Sequence, residues 1–544
     1  MVNSFKNETS LGNYTQDAEQ DRILAAIDIG TNSIHMVVVQ IKPALPAFTI
    51  IAKEKDTVRL GDCDPKIGLT TAAIKRAIAT LQRCQELAKS FNAEQIVAVA
   101  TSAVREAPNG REFLQQVYEE LGLFVNLISG QEEARRIYLG VLSGMEFNNH
   151  PHIIIDIGGG STELILGDSH EPRFLSSTRV GAVRLTAEFI KNDPISHSEF
   201  QYLQAYIRGM LEREIQELLT NLKPGERPRL VGTSGTIETL AILHAREKLG
   251  TLPNPLNGYQ LSRKDIKEML KRLASMSCLE RNTLPGMSDK RSEIIVAGAL
   301  ILSEAMTLLG VEYLTIGERA LREGVIVDWM LSHGLIEDRL RYQGSVRERS
   351  VKKTAQKYQV DLEHSDRVAN FALSIFNQTR GYLHNWGTEE KELLWAAAIL
   401  HKCGLFISHS SHHKHSYYLI RNGELLGFAE AEIEVIANLA RYHRRSSPKK
   451  KHESYSNLST KQQRVLVNQL SAILRLAVAL DRRQIGAIGR VHCEYYPNSQ
   501  QLHLHLQPSD PDDDCALELW SLDYEKAVFE AEYGVKLLAT LKYQ

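Results

Sequence analysis

Three textures of hydrophobic and polar residues follow one another along this chain. Near the start, short apolar, β-branched-rich runs predict strands at about 23–28, 34–41 and 47–53. From Thr70 to Phe91 the apolar residues return at helical spacing, with Ile74, Ile78, Leu81, Cys84, Ala88 and Phe91 on one face. Ile96 to Ala100 reads as a short buried strand, followed by a helix and a strand from Phe124 to Ile128. After Pro151 the order repeats. Two strands flank a glycine turn, a third covers about 173–179, and helical segments fill much of 182–221. Leu230-Val231 then enters the turn Gly232 to Thr236, a helix runs from Ile237, and the repeat ends in a strand from Val311 to Ile316 and a helix from Ala320. From about 335 helical spacing dominates. Strand-like alternation returns only in Gln501 to Leu506, and a final helix is expected after the acidic turn Asp510 to Asp514.

This order predicts an α/β architecture: two copies of a mixed sheet with helices on its faces and a cleft between them. The expected boundaries are a disordered polar tail over 1–20, first and second α/β domains over 21–140 and 141–334, a helical domain over 335–486 and a small C-terminal α+β domain over 487–544.

Composition narrows the class. Hydrophobic content of 43% and charged content of 24% belong to an ordinary soluble protein, and a net charge of -2 gives no global attraction to nucleic acid or membrane. The longest apolar stretch, Ile294 to Met306, is too short to span a bilayer and reads as a buried helix. Six scattered cysteines without a CxxC pair argue against a disulfide framework or zinc site and for a reducing cytoplasm. The first twenty residues lack an apolar signal core.

Candidate chemistry concentrates in one stretch, Asp156-Ile157-Gly158-Gly159-Gly160-Ser161-Thr162-Glu163. Three glycines leave no side chain between backbone and ligand and allow positive φ, so that neighbouring N–H groups can converge on an anion. Asp156 and Glu163 offer hard oxygens beside that cradle, the donor set Mg²⁺ takes together with phosphate. An earlier stretch echoes it: Asp28-Ile29 followed by Gly30, Thr31, Asn32 and Ser33. Two Asp-Ile-Gly hairpins suggest phosphate loops facing each other across the cleft. Gly232, Ser234, Gly235 and Thr236 form a third small-residue turn at a helix start, where N–H groups are free. Arg105 follows a strand end and reads as either a ligand contact or a surface ion pair. Glu132 and Glu133 open a helix. They are either dipole-complementing acids or a pair of which one is a general base, and periodicity does not separate the two.

In order, Asp-Ile-Gly-Thr-Asn-Ser (28–33), Ser-Gly-Gln-Glu-Glu-Ala-Arg (129–135), the glycine loop (156–163), Gly-Thr-Ser-Gly-Thr (232–236) and Leu-Arg-Glu-Gly (321–324) resemble the exopolyphosphatase and guanosine pentaphosphate phosphohydrolase family. The resemblance implies duplicated actin-like (ribonuclease H-like) domains. It implies Glu133 as catalytic base, Asp156 and Glu163 as Mg²⁺ ligands, and phosphate binding by the two glycine loops and Arg105. Leu400-His401, Ser408 to Ser410, His413 to Ser416 and Arg441 to Arg444 extend it to the long, four-domain form.

In that form the helical part resembles a degenerate HD-type phosphohydrolase domain. His364 and Asp481 would be outer ligands, but Lys402 follows His401 where an Asp should stand, so no competent metal centre is expected. Arg441, Arg444, Arg445, Lys449, Lys450 and Lys451 make a basic run that reads as a solvated loop or as a track for a long polyanion. The implied activity is hydrolysis of the terminal phosphate of inorganic polyphosphate, with guanosine pentaphosphate as the alternative substrate. An ATP-dependent kinase and a non-catalytic polyphosphate or alarmone sensor are competing readings. The implied protein is a cytoplasmic homodimer with no membrane span and no nucleic-acid partner, peripheral membrane association being left open.

Overall fold

A computed structural model describes residues 21–542 apart from 44–46, 62, 65–67, 149, 337–345, 424, 426–427, 429 and 459. The polar tail over 1–20 therefore lies outside the described residues. The chain forms two compact units, Met1–Val346 and Arg347–Gln544.

Two mixed sheets build the first unit. Strands β1 (Arg22–Ile29), β2 (Ser33–Lys42), β3 (Ala47–Thr57), β4 (Gln95–Ala100) and β5 (Val125–Leu127) form a sheet of order β3-β2-β1-β4-β5. Strands β6 (His152–Ile157), β7 (Thr162–Gly167), β8 (Pro172–Thr178), β9 (Arg229–Thr233), β10 (Gln260–Ser262) and β11 (Tyr313–Ile316) form a second, of order β8-β7-β6-β9-β11-β10. In each, an antiparallel meander of three strands is followed by strands parallel to the first, save that the edge strand β10 runs antiparallel to β11. The duplication expected from the strand-and-helix order is thus present. The edge strand β10 escaped sequence reading because three residues give no periodicity.

Helices α1 (Thr71–Ser90), α2 (Ser102–Glu106) and α3 (Gly110–Leu121) accompany the first sheet. Thr70 caps α1 by accepting from the Ala73 N–H, and Ala77, Ile78, Leu81, Cys84 and Ala88 are buried on its inner face. Helix α4 (Gly130–Leu142) leads into the second sheet, and α5 (Ala182–Phe189), α6 (His197–Thr220), α7 (Gly235–Leu249) and α8 (Ile295–Leu309) follow. Helix α8 is the buried apolar helix expected from Ile294 to Met306. Helix α9 (Leu321–Ser332) lies against α4 and β1. The two helices cross closely. A Cβ at Gly140 would lie 1.9 Å from the Ala320 carbonyl oxygen, and one at Gly324 would lie 1.7 Å from that of Arg136. One core accordingly holds Leu24 and Val37 of the first sheet, Ile154, Ile165 and Val231 of the second, and Val325 and Ile326 of α9.

In the second unit, helices α10 (Leu362–Thr379), α11 (Thr388–Leu400), α12 (His412–Arg421), α13 (Glu430–Tyr442), α14 (Lys461–Leu480) and α15 (Ala516–Tyr533) share one hydrophobic core with a three-stranded sheet. Its strands are β12 (Ile488–Tyr496), β13 (Gln501–Pro508) and β14 (Lys536–Leu541). The alternation in Gln501 to Leu506 is a half-buried strand, as its pattern predicts. The helix after the acidic turn is not the last element. Gly534 ends it in a left-handed conformation (φ 67°), and β14 then pairs parallel with β13. No helix among the described residues is long and apolar enough to cross a membrane.

Candidate active site

The two Asp-Ile-Gly hairpins superpose in register. In the first, Asp28 pairs across the strands with His35 and Ile29 with Ile34. In the second, Asp156 pairs with Glu163 and Ile157 with Thr162. The Gly30 N–H donates to the Ser33 carbonyl at 3.0 Å, and the Gly158 N–H donates to the Ser161 carbonyl at 2.9 Å. Each loop is therefore the same closed turn. Among the described residues the N–H groups of Thr31, Asn32, Gly159 and Gly160 donate to no acceptor of the protein. They are available to an anion.

The glycines serve this site differently from the sequence expectation. None of Gly30, Gly158, Gly159 and Gly160 has positive φ. What the loop needs is room. A Cβ at Gly160 would stand 2.5 Å from Ser102 Oγ and 2.8 Å from Thr31 Oγ1, and one at Gly159 would stand 3.0 Å from Thr31 Cβ. The loops of the two hairpins touch, and only glycine lets them.

Four carboxyl groups gather beside these loops. Glu133 and Glu163 are buried, and so is Asp156. Asp28 is half-buried, with Oδ1 sealed from solvent and without a hydrogen-bond partner. Burial, then repulsion from Glu163 and Asp28, pushes the Asp156 carboxyl well above the usual carboxylate range. Glu133 is driven the same way by burial and by Glu163, against the pull of Arg105. Burial raises Asp28 to about 6, opposed by Arg322, and raises Glu163 to about 7, opposed by hydrogen bonds from Ser161 and Ser177. Mutual repulsion of this kind is what a divalent cation relieves. Mg²⁺ asks for only one or two protein carboxylates, so the paired Asp156 and Glu163 fit it.

Side chains around the cluster hold it in place. Arg105 Nη1 donates to Glu133 Oε2 at 3.1 Å and to the Ile128 carbonyl at 2.8 Å. Ser177 Oγ donates to Glu163 Oε1 at 2.8 Å. Ser129 caps α4, its Oγ accepting from the Glu132 N–H at 3.2 Å. Glu132 turns outward to Arg135 and Arg136 at 2.7 Å each.

The third turn divides. Gly232 sits inside β9, where a Cβ would meet the Leu314 and Ile237 side chains, so its missing side chain serves packing. The Thr236 methyl fills the space beside Gly298. Ser234 (φ 94°) keeps a buried Oγ without partner, and Gly235 lies where a Cβ would be 2.0 Å from Arg291 Nη2. Helix α7 starts at Gly235, two residues before the expected Ile237.

Sequence reading missed Asp28, Arg291 and Arg322 as site residues. Arg322, Lys55 and Arg291 all act on His35, which burial first and these cations second lower to about 3. Asp28 could have been found from the Asp-Ile-Gly repeat and Arg322 from Leu-Arg-Glu-Gly. Arg291 carries no local signal.

The profile of the "Ppx/GppA phosphatase family" matches residues 37–333, and that of "Ppx/GppA phosphatase, domain III" matches 346–526. The chain belongs to the Ppx/GppA phosphatase family. It is a hydrolase acting on phosphoanhydride bonds. The resemblance read from the motifs is borne out. A curated relative from Aeromonas hydrophila, named guanosine-5'-triphosphate,3'-diphosphate pyrophosphatase, is 30% identical over 87% of this chain and 90% of its own. A relative of the same name from Aliivibrio fischeri is 31% identical over 85% of this chain and 87% of its own. The crystal structure of an exopolyphosphatase from Cytophaga hutchinsonii covers 58% of this chain and 100% of its own, at 26% identity and a TM-score of 0.53. The fold neighbours of this Ppx/GppA chain are thus of the actin-like α/β class.

In the second unit His364, His401 and Asp481 come together. His364 Nδ1 lies 2.7 Å from Asp481 Oδ2, and the His364 and His401 rings are 5.5 Å apart. Asp481 is already saturated by Arg367 Nε at 2.9 Å and the Gly486 N–H at 2.9 Å. The basic run splits in two. Arg441 lies over the Tyr417 and Tyr442 rings and Arg444 is half-buried beside His412, whereas Arg445, Lys449, Lys450 and Lys451 are exposed. The reason is Arg475, which is buried and donates to the carbonyls of Tyr442, Arg445 and Ser446, folding the segment over itself.

Proposed function

We propose that this protein is an exopolyphosphatase that hydrolyses the terminal phosphate of inorganic polyphosphate with Glu133 as general base. One observation carries the reading: a carboxyl group, held by Arg105 and raised by its burial and then by neighbouring acids, sits beside two loops whose Thr31, Asn32, Gly159 and Gly160 N–H groups have no protein acceptor among the described residues. A kinase needs an acceptor site and a sensor needs no base. Thr31, Asn32, Gly159 and Gly160 offer N–H groups to successive phosphates. Arg105 orients Glu133 and offers its remaining guanidinium face to the terminal phosphoryl group. Glu133 takes the proton of an in-line water, and a carboxyl raised toward neutrality is a stronger base than an ordinary glutamate. Asp156 and Glu163 would hold a Mg²⁺ ion, which when bound would supply charge neutralisation for the transferred group. Arg322 and Arg291 stand ready to receive further phosphate charge.

The second substrate, guanosine pentaphosphate, is favoured by the names of the relatives that span most of the chain. The same residues would serve, since the bond broken is again a terminal phosphoanhydride. Orthophosphate release from long-chain polyphosphate and from guanosine pentaphosphate, measured side by side, decides between them. Equal inertness toward both would remove the proposal.

The exposed run Arg445, Lys449, Lys450 and Lys451 is proposed as part of a polyanion track, with 335–486 as a degenerate HD-like domain and 487–544 as a small C-terminal α+β domain. A cytoplasmic homodimer completes the reading. The described cysteines Cys84, Cys278, Cys403, Cys493 and Cys515 are all free, which fits a reducing compartment, and sedimentation of the full chain tests the dimer.

A further inference from the structure

A planar trans peptide sets its C=O and its N–H on opposite sides, so whatever holds the carbonyls of a loop aims its N–H groups the other way. In the second hairpin every carbonyl of the glycine run is held by one segment, the start of α5. Gly158 accepts from the Ala182 N–H at 3.0 Å, and Gly159 accepts from those of Val183 at 2.9 Å and Arg184 at 3.1 Å. Gly160 accepts from Arg184 Nε at 3.2 Å. The Gly159 and Gly160 N–H groups therefore face away from α5. The first hairpin is fixed in the same way. Its Thr31 carbonyl accepts from the Gly61 N–H at 2.8 Å, and its Asn32 carbonyl accepts from those of Val58 at 3.1 Å and Arg59 at 2.9 Å.

In both hairpins the clamping segment carries an arginine, and each arginine reaches a glutamate of the other half of the duplicated unit. Arg184 Nη2 donates to Glu106 Oε2, at the end of α2, at 2.6 Å. Arg59 Nη2 donates to Glu293 Oε2, just before α8, at 3.0 Å. The two pairs differ in weight. Side-chain exposure is 27% for Arg184 and 15% for Glu106, against 43% for Arg59 and 47% for Glu293, so solvent screens the second pair more. Arg184 also spans two contacts with one guanidinium, Nε on the loop and Nη2 on the carboxylate. Glu106 has a further partner in its own half. Ser102 Oγ donates to Glu106 Oε1 at 2.7 Å, and that Oγ is the atom that a Cβ at Gly160 would strike. Glu106 thus holds the groups on both sides of Gly160, one from each half.

We propose that Arg184 and Glu106 are positioning residues for phosphate binding. They lock the Gly158 to Gly160 run in the orientation that presents its N–H groups, and they tie that orientation to the contact between the two halves. They act through the loop and not on the reacting atoms. The proposal rests on the reading of the glycine run as a phosphate cradle, and it does not depend on which substrate is hydrolysed.

The test is steady-state orthophosphate release by the full chain, on whichever of polyphosphate and guanosine pentaphosphate the wild type hydrolyses. Arg184→Lys keeps the charge but loses the planar fork that serves loop and carboxylate at once. It should raise KM about tenfold or more and change kcat by about threefold at most, since loop N–H groups hold phosphate in the ground state and the transition state alike. Glu106→Gln should raise KM at least about threefold, by loosening the same guanidinium. The double variant should be no worse than Arg184→Lys alone, because the two residues act as one unit. Arg179→Gln is the control. Arg179 is 70% exposed and also pairs with Glu106, its Nε at 3.3 Å, and its loss should leave KM within about twofold of the wild type. Should Arg184→Lys not fold, Glu106→Gln carries the test by itself, because it keeps the shape of the side chain. An unchanged KM in either variant, even with a lower melting temperature or kcat, would make the pair merely structural and overturn the proposal. Losses that multiply in the double variant would do the same. A wild type inert toward both substrates, or Gly160→Ala with wild-type kinetics, would instead overturn the reading of the run as a cradle, and the proposal with it.

Discussion

Glu132 and Glu133 are neighbours in the chain and opposites in the structure. Glu132 is half-exposed and clasped by Arg135 and Arg136, and these contacts hold its carboxyl below the usual range. Glu133 points inward, buried, against Arg105, with its carboxyl driven upward. One residue along the first turn of a helix separates a surface clasp from the acid cluster.

The first prediction follows from that contrast. Glu133→Gln should lower turnover by about 10²–10⁴ while leaving polyphosphate affinity nearly intact, because it removes the base and keeps the shape. Glu132→Gln should retain most activity and lose at most about 1 kcal/mol of stability with its surface ion pairs. Steady-state orthophosphate release and a binding isotherm for each variant are the measurements, and a reversed order of severity would move the base to Glu132.

Asp156→Asn and Glu163→Gln should each raise the Mg²⁺ concentration needed for half-maximal activity, because each takes a hard anionic ligand away. Asp28→Asn should lower the rate as well, since its Oδ1 has no protein partner to lose. Titrating Mg²⁺ at fixed substrate checks all three, and an unchanged Mg²⁺ dependence at position 156 or 163 would free that residue of the role.

Gly160→Ala should damage catalysis out of proportion to its size. Its methyl group would overlap Ser102 and Thr31 and force the two hairpins apart. Gly209→Ala is the control: nothing lies within 4 Å of a Cβ there, and it sits inside α6, so it should stabilise by about 0.5–1 kcal/mol. Paired activity assays and melting curves would show whether the loop or the substitution type matters.

Acid should weaken the second unit before it unfolds carboxylate pairs. Burial lowers His401 and His443 well below the ordinary 6.5. The unfolded chain therefore binds their protons where the folded one does not. Stability is complete above pH 6.5 and falls below it, by about 1.4 kcal/mol per pH unit for each ring. Asp481, lowered by His364, Gly486 and Arg367 against the cost of burial, adds a loss of the same sign at still lower pH, below its ordinary 3.8. Calorimetric melting between pH 7.5 and 5 should show the slope, and His401→Phe should flatten it.

Neutralising Arg445, Lys449, Lys450 and Lys451 together should weaken long polyphosphate and flatten the salt dependence of its binding, while hydrolysis of a very short chain changes little. Equal losses on both substrates would point to damage in the fold, and no loss on either would make the run a solvated loop.

Much of the site was legible because the chemistry and the chain repeat coincide. Asp28 and Asp156 each end an apolar strand before a glycine, and β-hairpin register alone then dictates that residue seven positions on faces the aspartate: His35 in one copy, Glu163 in the other. Periodicity likewise suffices for α1, α8 and β13, whose burial needs only one face to know its core. Long-range contact decided the rest. Nothing local tells Glu133 from Glu132, because α4 is oriented by its packing on α9, nearly two hundred residues away in the chain. Arg291 and Arg322 reach the hairpins only through folding. The glycine run was read as conformational freedom and is close approach instead, because the atoms that would collide, Ser102 and Thr31, belong to the other half of the duplicated unit. Lys402 shows the same division: its place after His401 is a fact of sequence, but its lack of a carboxylate partner depends on Arg367, Asp481 and Gly486 meeting in space.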